Sequence, residues 1–260
     1  MRSSQVITNT VQATQVPLRQ IADQFGTPCY VYSMQSLRTQ YQQLATALAP
    51  IDSKIHYSVK ANSNLGILRV FKDLGAGFAI VSGGELSRVL AVGGDPKDVI
   101  FSGVGKSTAE IDLALKVGVG CFNVESHSEL IRIQQRAELA EKIAPISIRV
   151  NPDVDAKTHP YISTGLKNNK FGVDAATALT LYTIAAEANA LRIDGIDCHI
   201  GSQIANAEPL LQALNSVLQL VDILSSKDIV LQHVNLGGGF GVRYQDEQAL
   251  DLDTYGAQLY

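Results

Sequence analysis

The feature that most constrains this fold is a repeat in which a short, mostly apolar segment precedes an amphipathic helical pattern. Strands that alternate with helices at this spacing predict βαβ units and a parallel sheet. Seven strands in series favour a (β/α)8 TIM-type barrel, although periodicity alone does not separate it from a doubly wound sheet. No GxGxxG sequence follows the first strand, which argues against a dinucleotide-binding fold. The predicted strands are residues 55–59, 78–81, 99–101, 121–124, 146–150, 195–200 and 233–236, with helices at 65–74, 84–92, 107–117, 126–143, 174–189 and 208–224.

The segments before the repeat predict a smaller N-terminal region. Residues 1–15 are polar and predict a frayed arm, residues 18–25 and 36–48 have helical patterns, and residues 28–32 predict a strand. We therefore divide the chain into an arm with a short helix at 1–25 and a barrel domain at 26–260. The connection at 151–172 is long and follows a strand, so we expect it to be functional and to lie on the active face of a barrel.

Composition argues against several classes of function. The chain has 260 residues, 46% hydrophobic and 18% charged, which suits a globular protein. A net charge of −4 offers no basic surface for nucleic acid. The sequence lacks a signal-peptide core, a His/Cys metal cluster and an apolar run of the roughly 18 residues that a transmembrane helix needs. The cysteines predict reduced core residues of a cytoplasmic protein: Cys29, Cys121 and Cys198.

A lysine follows the first predicted strand. A lysine at the end of a buried strand that points into a pocket is desolvated, which lowers the pKa of its amine and makes the amine a nucleophile. Lys60 could therefore form a Schiff base with a carbonyl substrate or with pyridoxal phosphate (PLP). The alternative is a lysine that only carries charge to the surface, which is the commoner case. Asn62, Ser63 and Asn64 after it can cap the next helix.

The sixth and seventh predicted strands end in a histidine and in a glycine-rich loop. In a barrel, chemistry lies where strands end. The ring of His199 could stack on an aromatic cofactor and the Ser202 hydroxyl could bond a phosphate, although a histidine at such a place is more often structural. The glycines let the backbone come close to a phosphate and offer it N–H groups, or else they only form a turn. These glycines are Gly237, Gly238 and Gly239.

Four further polar side chains lie on the same predicted face. Glu85 and Glu125 could orient Lys60 or a histidine, or they could simply stabilise a helix N-terminus. Arg149 suggests contact with an anion or a phenolate. The alternative is an ordinary ion pair in solvent. His159 on the long connection is a candidate for contact with substrate.

These segments together resemble the N-terminal part of the diaminopimelate decarboxylases, a family of PLP enzymes of the alanine-racemase-type barrel class. The resemblance runs from about Gly26 to the C-terminus, and its specificity lies in several segments that occur in the family's order. They are residues 27–32, 57–62, 81–86, 122–126, 149–152, 159–165, 199–203 and 237–241.

The resemblance implies a cofactor and a role for each candidate residue. Lys60 carries PLP on its amine, and His199 stacks on the pyridine ring. The implied reaction removes CO2 from meso-2,6-diaminopimelate to give L-lysine, a step of lysine biosynthesis, and the family works as a homodimer. The remaining implied contacts are Ser202, Gly237, Gly238 and Gly239 with the phosphate, and Arg149 and Glu85 with the cofactor in the same shell.

Two features depart from the family pattern. Ala79 stands where the family has an aspartate, which removes a charged neighbour of Lys60. The sequence also stops at Tyr260 without an eighth strand, the family's Glu-Pro-Gly-Arg segment or its C-terminal β-domain with a catalytic cysteine. We therefore expect a truncated barrel that is not an efficient decarboxylase by itself.

Three alternative interpretations remain. The first is a sister PLP decarboxylase that acts on ornithine, arginine or carboxynorspermidine, because substrate choice rests largely on residues beyond the sequence. The second is a non-catalytic PLP-binding protein, since single-domain PLP barrels of about this length exist. The third is an inert, misfolded product, because a barrel that lacks a strand exposes unpaired edges.

Overall fold

A small antiparallel sheet precedes the main fold in the computed structural model, which describes residues 4–7, 10–13, 16–155, 171–243 and 248–260. Strands β1 (Ser4–Ile7), β2 (Thr10–Ala13) and β3 (Val16–Pro17) pair in chain order. The prediction of a frayed arm is therefore wrong, because pairing gives these backbone groups partners within the chain. Helices α1 (Leu18–Phe25) and α2 (Met34–Ala47) follow, and α1 has the predicted bounds.

Residues 28–32 form no strand, contrary to the prediction. Their β-branched and aromatic side chains favour a strand only where a neighbouring strand pairs with the segment, and within the described ranges none does. Tyr30 is 91% exposed. Cys29 is also exposed, which contradicts its predicted place in the core, whereas Cys121 and Cys198 are buried as predicted.

Seven parallel strands form the main sheet, and they follow one another across it in chain order. This order agrees with the barrel prediction and rules out a doubly wound sheet, in which the strand order reverses. In the part of the chain that the structure describes, β4 and β10 are the two edge strands. The strands are β4 (His56–Ser58), β5 (Gly77–Ile80), β6 (Val99–Phe101), β7 (Cys121–Val124), β8 (Ala144–Arg149), β9 (Leu191–Asp197) and β10 (His233–Asn235).

A helix follows almost every strand, and side-chain caps fix where several of these helices begin. The side chains of Asn64, Ser107 and Asp174 each accept a hydrogen bond from a backbone N–H of the first turn, as their sequence positions predict. None of the helices in the described ranges is long and apolar enough to span a membrane. They are α3 (Leu65–Asp73), α4 (Gly83–Ala91), α5 (Thr108–Val117), α6 (His127–Leu139), α7 (Ala175–Glu187), α8 (Glu208–Ser225) and α9 (Leu252–Leu259).

The sheet curls so that its two edge strands approach each other. Burial is the main cause that lowers the pKa of His56 on β4, and the charges of Lys54 and of His233 on β10 act in the same direction, so His233 lies near His56. Outside the sheet, α9 packs against α2, with Gly256 directly on the carbonyl of Ala47. The helices therefore close around the side on which the strands are unpaired.

The two faces of the curled sheet differ in polarity. Residues at alternate positions of a strand share a face, and in β7 and β8 one set of alternate residues is apolar, with Phe122, Val124 and Ile148 all buried. The other set is polar and is also buried, as in Asn123 and Ser147, which are register partners. Since buried polar groups need partners, this polar face is the part of the molecule to search for chemistry.

Candidate active site

Lys60 lies just beyond the carboxyl end of β4, within a short 3-10 turn at Val59–Ala61. Its side chain is exposed, whereas Val59 before it is fully buried. The expectation of a desolvated amine is therefore wrong for this structure. The physical reason is that β4 is an edge strand, so its carboxyl end has a neighbouring strand on one side only.

His199 follows β9 and faces the same space. Its Nδ1 accepts a hydrogen bond from the backbone N–H of Gly238 at 3.3 Å. The pKa of this imidazole is lowered to about 4, chiefly by burial and in addition by the positive charges of Arg149 and Lys60. The ring is therefore neutral at neutral pH. Because the charge of Lys60 acts on His199, these two residues lie near each other although β4 and β9 are far apart in the strand order.

The glycine-rich loop after β10 packs tightly on the loop after β9. Gly239 has a φ of +85°, and a Cβ there would lie 1.8 Å from the carbonyl oxygen of Gly201. At Gly237 a Cβ would lie 2.7 Å from Nδ1 of His199. These two positions require glycine because of both backbone conformation and space. The backbone N–H of Gly237 already donates to Oδ1 of Asn235, at 2.9 Å.

Ser202 is exposed on the loop that the glycines contact. The two loops are joined by backbone bonds from Ile204 N–H to Gly239 O and from Gly241 N–H to Ile204 O, both 2.9 Å long. The side chain of Gln203 adds a pair of hydrogen bonds to the backbone of Val242. The structure therefore brings the predicted hydroxyl and the predicted glycines to one place, as the sequence led us to expect.

Arg149 ends β8 and lies among buried acidic groups. Its Nη1 is 3.5 Å from Oε1 of Glu125, and its Nε is 3.8 Å from Oδ2 of Asp197. The guanidinium also lies over the ring of Phe171, 5.3 Å from the ring centroid. Glu125 is itself fixed, because its two oxygens accept the backbone N–H groups of Gly103 and Gly172. Arg149 is thus a positive charge held at the carboxyl ends of the strands.

Glu85 has a different role from Glu125 in this structure. Its carboxylate accepts the backbone N–H of Val81 at 2.7 Å, at the start of α4. This is the helix-terminal role that the sequence left open beside the functional one. Ala79 lies on β5, paired with Ser58 and Ile100. His159 lies outside the described residues.

The structure contains a buried ion pair between Lys106 and Glu129 that was not predicted from the sequence. The ammonium of Lys106 donates to Glu129, to the carbonyl of Gly103 and to the carbonyl of Asn123, at 2.7–2.8 Å. Glu129 is the fourth residue of a Ser-x-x-Glu sequence at the start of α6, and the same pattern opens α4 at Ser82 and α5 at Ser107. This repeated pattern was the available signal for acidic groups at three successive strand ends.

The donor set at this edge fits PLP. A primary amine is available for an aldehyde, an uncharged imidazole for the face of a ring, and a close-packed glycine loop for a phosphate. Arg149 supplies a fixed positive charge for an anionic oxygen. Among the described residues, no group of three or more His, Cys, Asp or Glu side chains could hold a metal ion.

Comparison with known proteins identifies what this site resembles. The family model described as pyridoxal-dependent decarboxylase, pyridoxal binding domain, matches residues 34–260. The diaminopimelate decarboxylase of Neisseria meningitidis serogroup B is 55% identical over 246 residues, 95% of this chain and 59% of that protein. That of Pseudomonas aeruginosa is 58% identical over 234 residues, 90% of this chain and 56% of that protein.

A solved structure of a diaminopimelate decarboxylase also matches this chain. Diaminopimelate decarboxylase from Helicobacter pylori, complexed with L-lysine, superposes with a TM-score of 0.90 at 40% identity, covering 92% of this chain and 61% of that one. The chain spans about three fifths of the length of the curated relatives it matches, 59% of the first of them.

Proposed function

This chain belongs to the pyridoxal-dependent decarboxylases, whose pyridoxal-binding domain it contains, and from that premise we propose that the protein removes carbon dioxide from meso-2,6-diaminopimelate to give L-lysine. The observation that carries the proposal is the convergence of Lys60, His199 and the glycine-rich loop at one edge of the sheet. Relatives at 55% and 58% identity named diaminopimelate decarboxylase support this substrate over those of the sister decarboxylases.

The chemistry divides between the cofactor and the chain. When bound, PLP supplies an electron sink for the electron pair that remains when the carboxylate leaves as carbon dioxide. We assign to Lys60 the attachment of the aldehyde, since its exposed amine can reach a carbonyl, and its Nζ can afterwards accept or donate a proton. His199 would present a neutral ring, because its lowered pKa keeps it unprotonated at neutral pH.

The remaining residues would bind and orient. We assign the phosphate to the loops of Ser202 and of the three glycines, where the backbone is free of side chains that would block it. Arg149 would hold a positive charge toward an anionic oxygen of the cofactor. Glu85, which caps α4, stays a proposed member of the cofactor shell. His159 stays a proposed substrate contact.

Three broader assignments follow from the same resemblance. We propose residues 26–260 as the cofactor-binding domain, with residues 1–25 as a separate arm. We further propose that the protein acts in the cytoplasm and that it works as a homodimer. The two buried cysteines, which form no disulfide, are compatible with a reducing compartment.

Reduction with borohydride in the presence of PLP is expected to label Lys60. The chain is incubated with PLP, reduced, digested and mapped by mass spectrometry. Lys60→Arg should abolish this label, because arginine keeps the charge but forms no Schiff base. Lys54→Arg, which changes another exposed lysine just before β4, should leave it intact. Equal labelling of several surface lysines, or a label that survives Lys60→Arg, would contradict the assignment.

Product analysis tests the substrate. The PLP-loaded protein is incubated separately with meso-2,6-diaminopimelate, ornithine and arginine, and the products are followed by mass spectrometry. L-lysine should form from diaminopimelate, at a rate well below that of an efficient decarboxylase, with no amine product from the other two. Formation of putrescine from ornithine would instead identify a sister decarboxylase.

A further inference from the structure

Asp197 is a buried acidic residue to which the resemblance assigns no role. It ends β9 as the register partner of Arg149 at the end of β8, so the two side chains share one face of the sheet. The residue is only 4% exposed. Its Oδ2 lies 3.8 Å from Nε of Arg149, and that Nε has no hydrogen-bond partner among the described residues.

The Arg149 guanidinium is bounded on three sides. Glu125 lies beside Nη1, Asp197 lies beside Nε, and the Phe171 ring lies against the guanidinium plane. Glu125 cannot follow a moving arginine, because the backbone N–H groups of Gly103 and Gly172 fix both of its oxygens. Two buried acidic groups beside two different nitrogen atoms of a planar cation favour one orientation of that cation as well as one position.

A buried carboxyl group at position 197 lowers the stability of the fold when it is ionised. Burial is the main cause that raises the pKa of Asp197 to about 6, and the negative charge of Glu125 contributes to this rise. Arg149, Lys106 and a hydrogen bond with the Asn123 side chain act against this rise. An uncharged amide would avoid the cost of burying an ionised group, so the carboxyl has to be explained by what it contacts.

We propose that Asp197 is a positioning residue that, together with Glu125, fixes the Arg149 guanidinium on the face of the sheet shared with His199. The part of this inference that concerns the cofactor rests on the proposed function. The part that concerns Arg149 and Asp197 does not, since both residues and their contacts belong to this chain. Among the described residues, the ionisable groups that interact with Asp197 are Arg149, Glu125, Lys106, Cys121, Cys198 and Tyr182.

Nitrogen NMR of the arginine side chains tests the contact without cofactor. In protein labelled with 15N, the Nε resonance of Arg149 is assigned as the one that Arg149→Lys removes, and it is followed from pH 4.5 to 8. We expect it to shift with a midpoint near pH 6, as Asp197 ionises. Asp197→Asn should abolish this shift, and Asp194→Asn, which breaks a surface pair with Arg192 on the same strand, should leave it.

A resonance that does not move near pH 6, or that moves equally in Asp197→Asn, would overturn the inference. Asp197→Asn is also measured for thermal unfolding at pH 7.5. The positioning role predicts an unfolding temperature equal to or above that of the original chain, because the variant removes a buried charge. A clear drop in that temperature would show that Asp197 serves the fold instead.

Titration with PLP tests the functional part. We expect Asp197→Asn to bind PLP about tenfold more weakly, the order expected when an interaction with a charged group is lost, with the affinity of Asp194→Asn unchanged. Equal affinity in Asp197→Asn and the original chain would overturn the cofactor part alone. If the original chain itself binds no PLP, the proposed function fails, and the NMR result still decides the role of Asp197.

Discussion

Replacing Lys106 with methionine is expected to lower the free energy of unfolding by about 3–5 kcal/mol, the usual cost of removing one partner from a buried ion pair. The side chain of Lys106 is 0% exposed and that of Glu129 is 5% exposed. All three ammonium protons are used, by Glu129 and by the carbonyls of Gly103 and Asn123. Methionine fills a similar space but leaves a buried carboxylate without its cation. The measurement is denaturant unfolding at pH 7.

A matched substitution at the surface separates burial from the loss of a lysine. Lys54 pairs with Asp98, and their side chains are 47% and 40% exposed. Lys54→Met should therefore cost at most about 1 kcal/mol. Adding Glu129→Gln to Lys106→Met should recover part of the loss, since an amide oxygen can still accept the N–H of Glu125 without carrying a charge. If Lys106→Met cost no more than Lys54→Met, the pair would not stabilise the fold.

The burial of this ion pair could not be predicted from the sequence. A lysine and a glutamate near helix starts look like solvated residues, and no periodicity distinguishes them from the exposed pair of Lys54 and Asp98. Lys106 and Glu129 are buried because parallel strands bring the loops after β6 and β7 side by side, a contact between segments far apart in sequence. Asp197 escaped prediction for the same reason, because its partner Arg149 belongs to another strand.

The regular elements were easier to predict because their signals are local. Helix α5 begins at a serine cap and carries apolar residues at helical spacing, so residues 107–117 were nearly correct. Strand β9 was placed at 195–200 but spans Leu191–Asp197, because Arg192 and Asp194 interrupt its apolar residues and hid its first half. Lys60, His199 and the glycines could be proposed as site residues because each comes just after its own strand.

Acid is expected to destabilise the fold through His199, with a size of about 3 kcal/mol. The pKa of its imidazole is about 4 in the fold, against about 6.5 in an unfolded chain. Between these values the unfolded chain binds the proton more strongly, so the free energy of unfolding falls as the pH drops from about 6.5 toward 4. His56 and His233 have pKa values that are also lowered, chiefly by burial, and act in the same direction.

The contribution of His199 can be isolated by comparing variants at each pH. His199→Gln removes the titration, while its side-chain oxygen can still accept the N–H of Gly238. The difference in unfolding free energy between the original chain and this variant should therefore change by about 3 kcal/mol between pH 7 and pH 4, with the original chain losing stability. A constant difference across this range would contradict a buried, neutral His199.

Asp197 is expected to change the free energy of unfolding with pH in the opposite direction. Its pKa is about 6 in the fold, against about 3.9 in an unfolded chain, so protonation stabilises the fold below about pH 4 and that stability is lost as the pH rises through 6. Relative to Asp197→Asn, the original chain should therefore lose about 2 kcal/mol on going from pH 4 to pH 7. The two shifts oppose each other in the original chain, so its own change in unfolding free energy between pH 4 and 6.5 should lie between the changes of the two variants. Differences from the original chain that change with pH in opposite directions in the two variants would show that both groups titrate within one buried site.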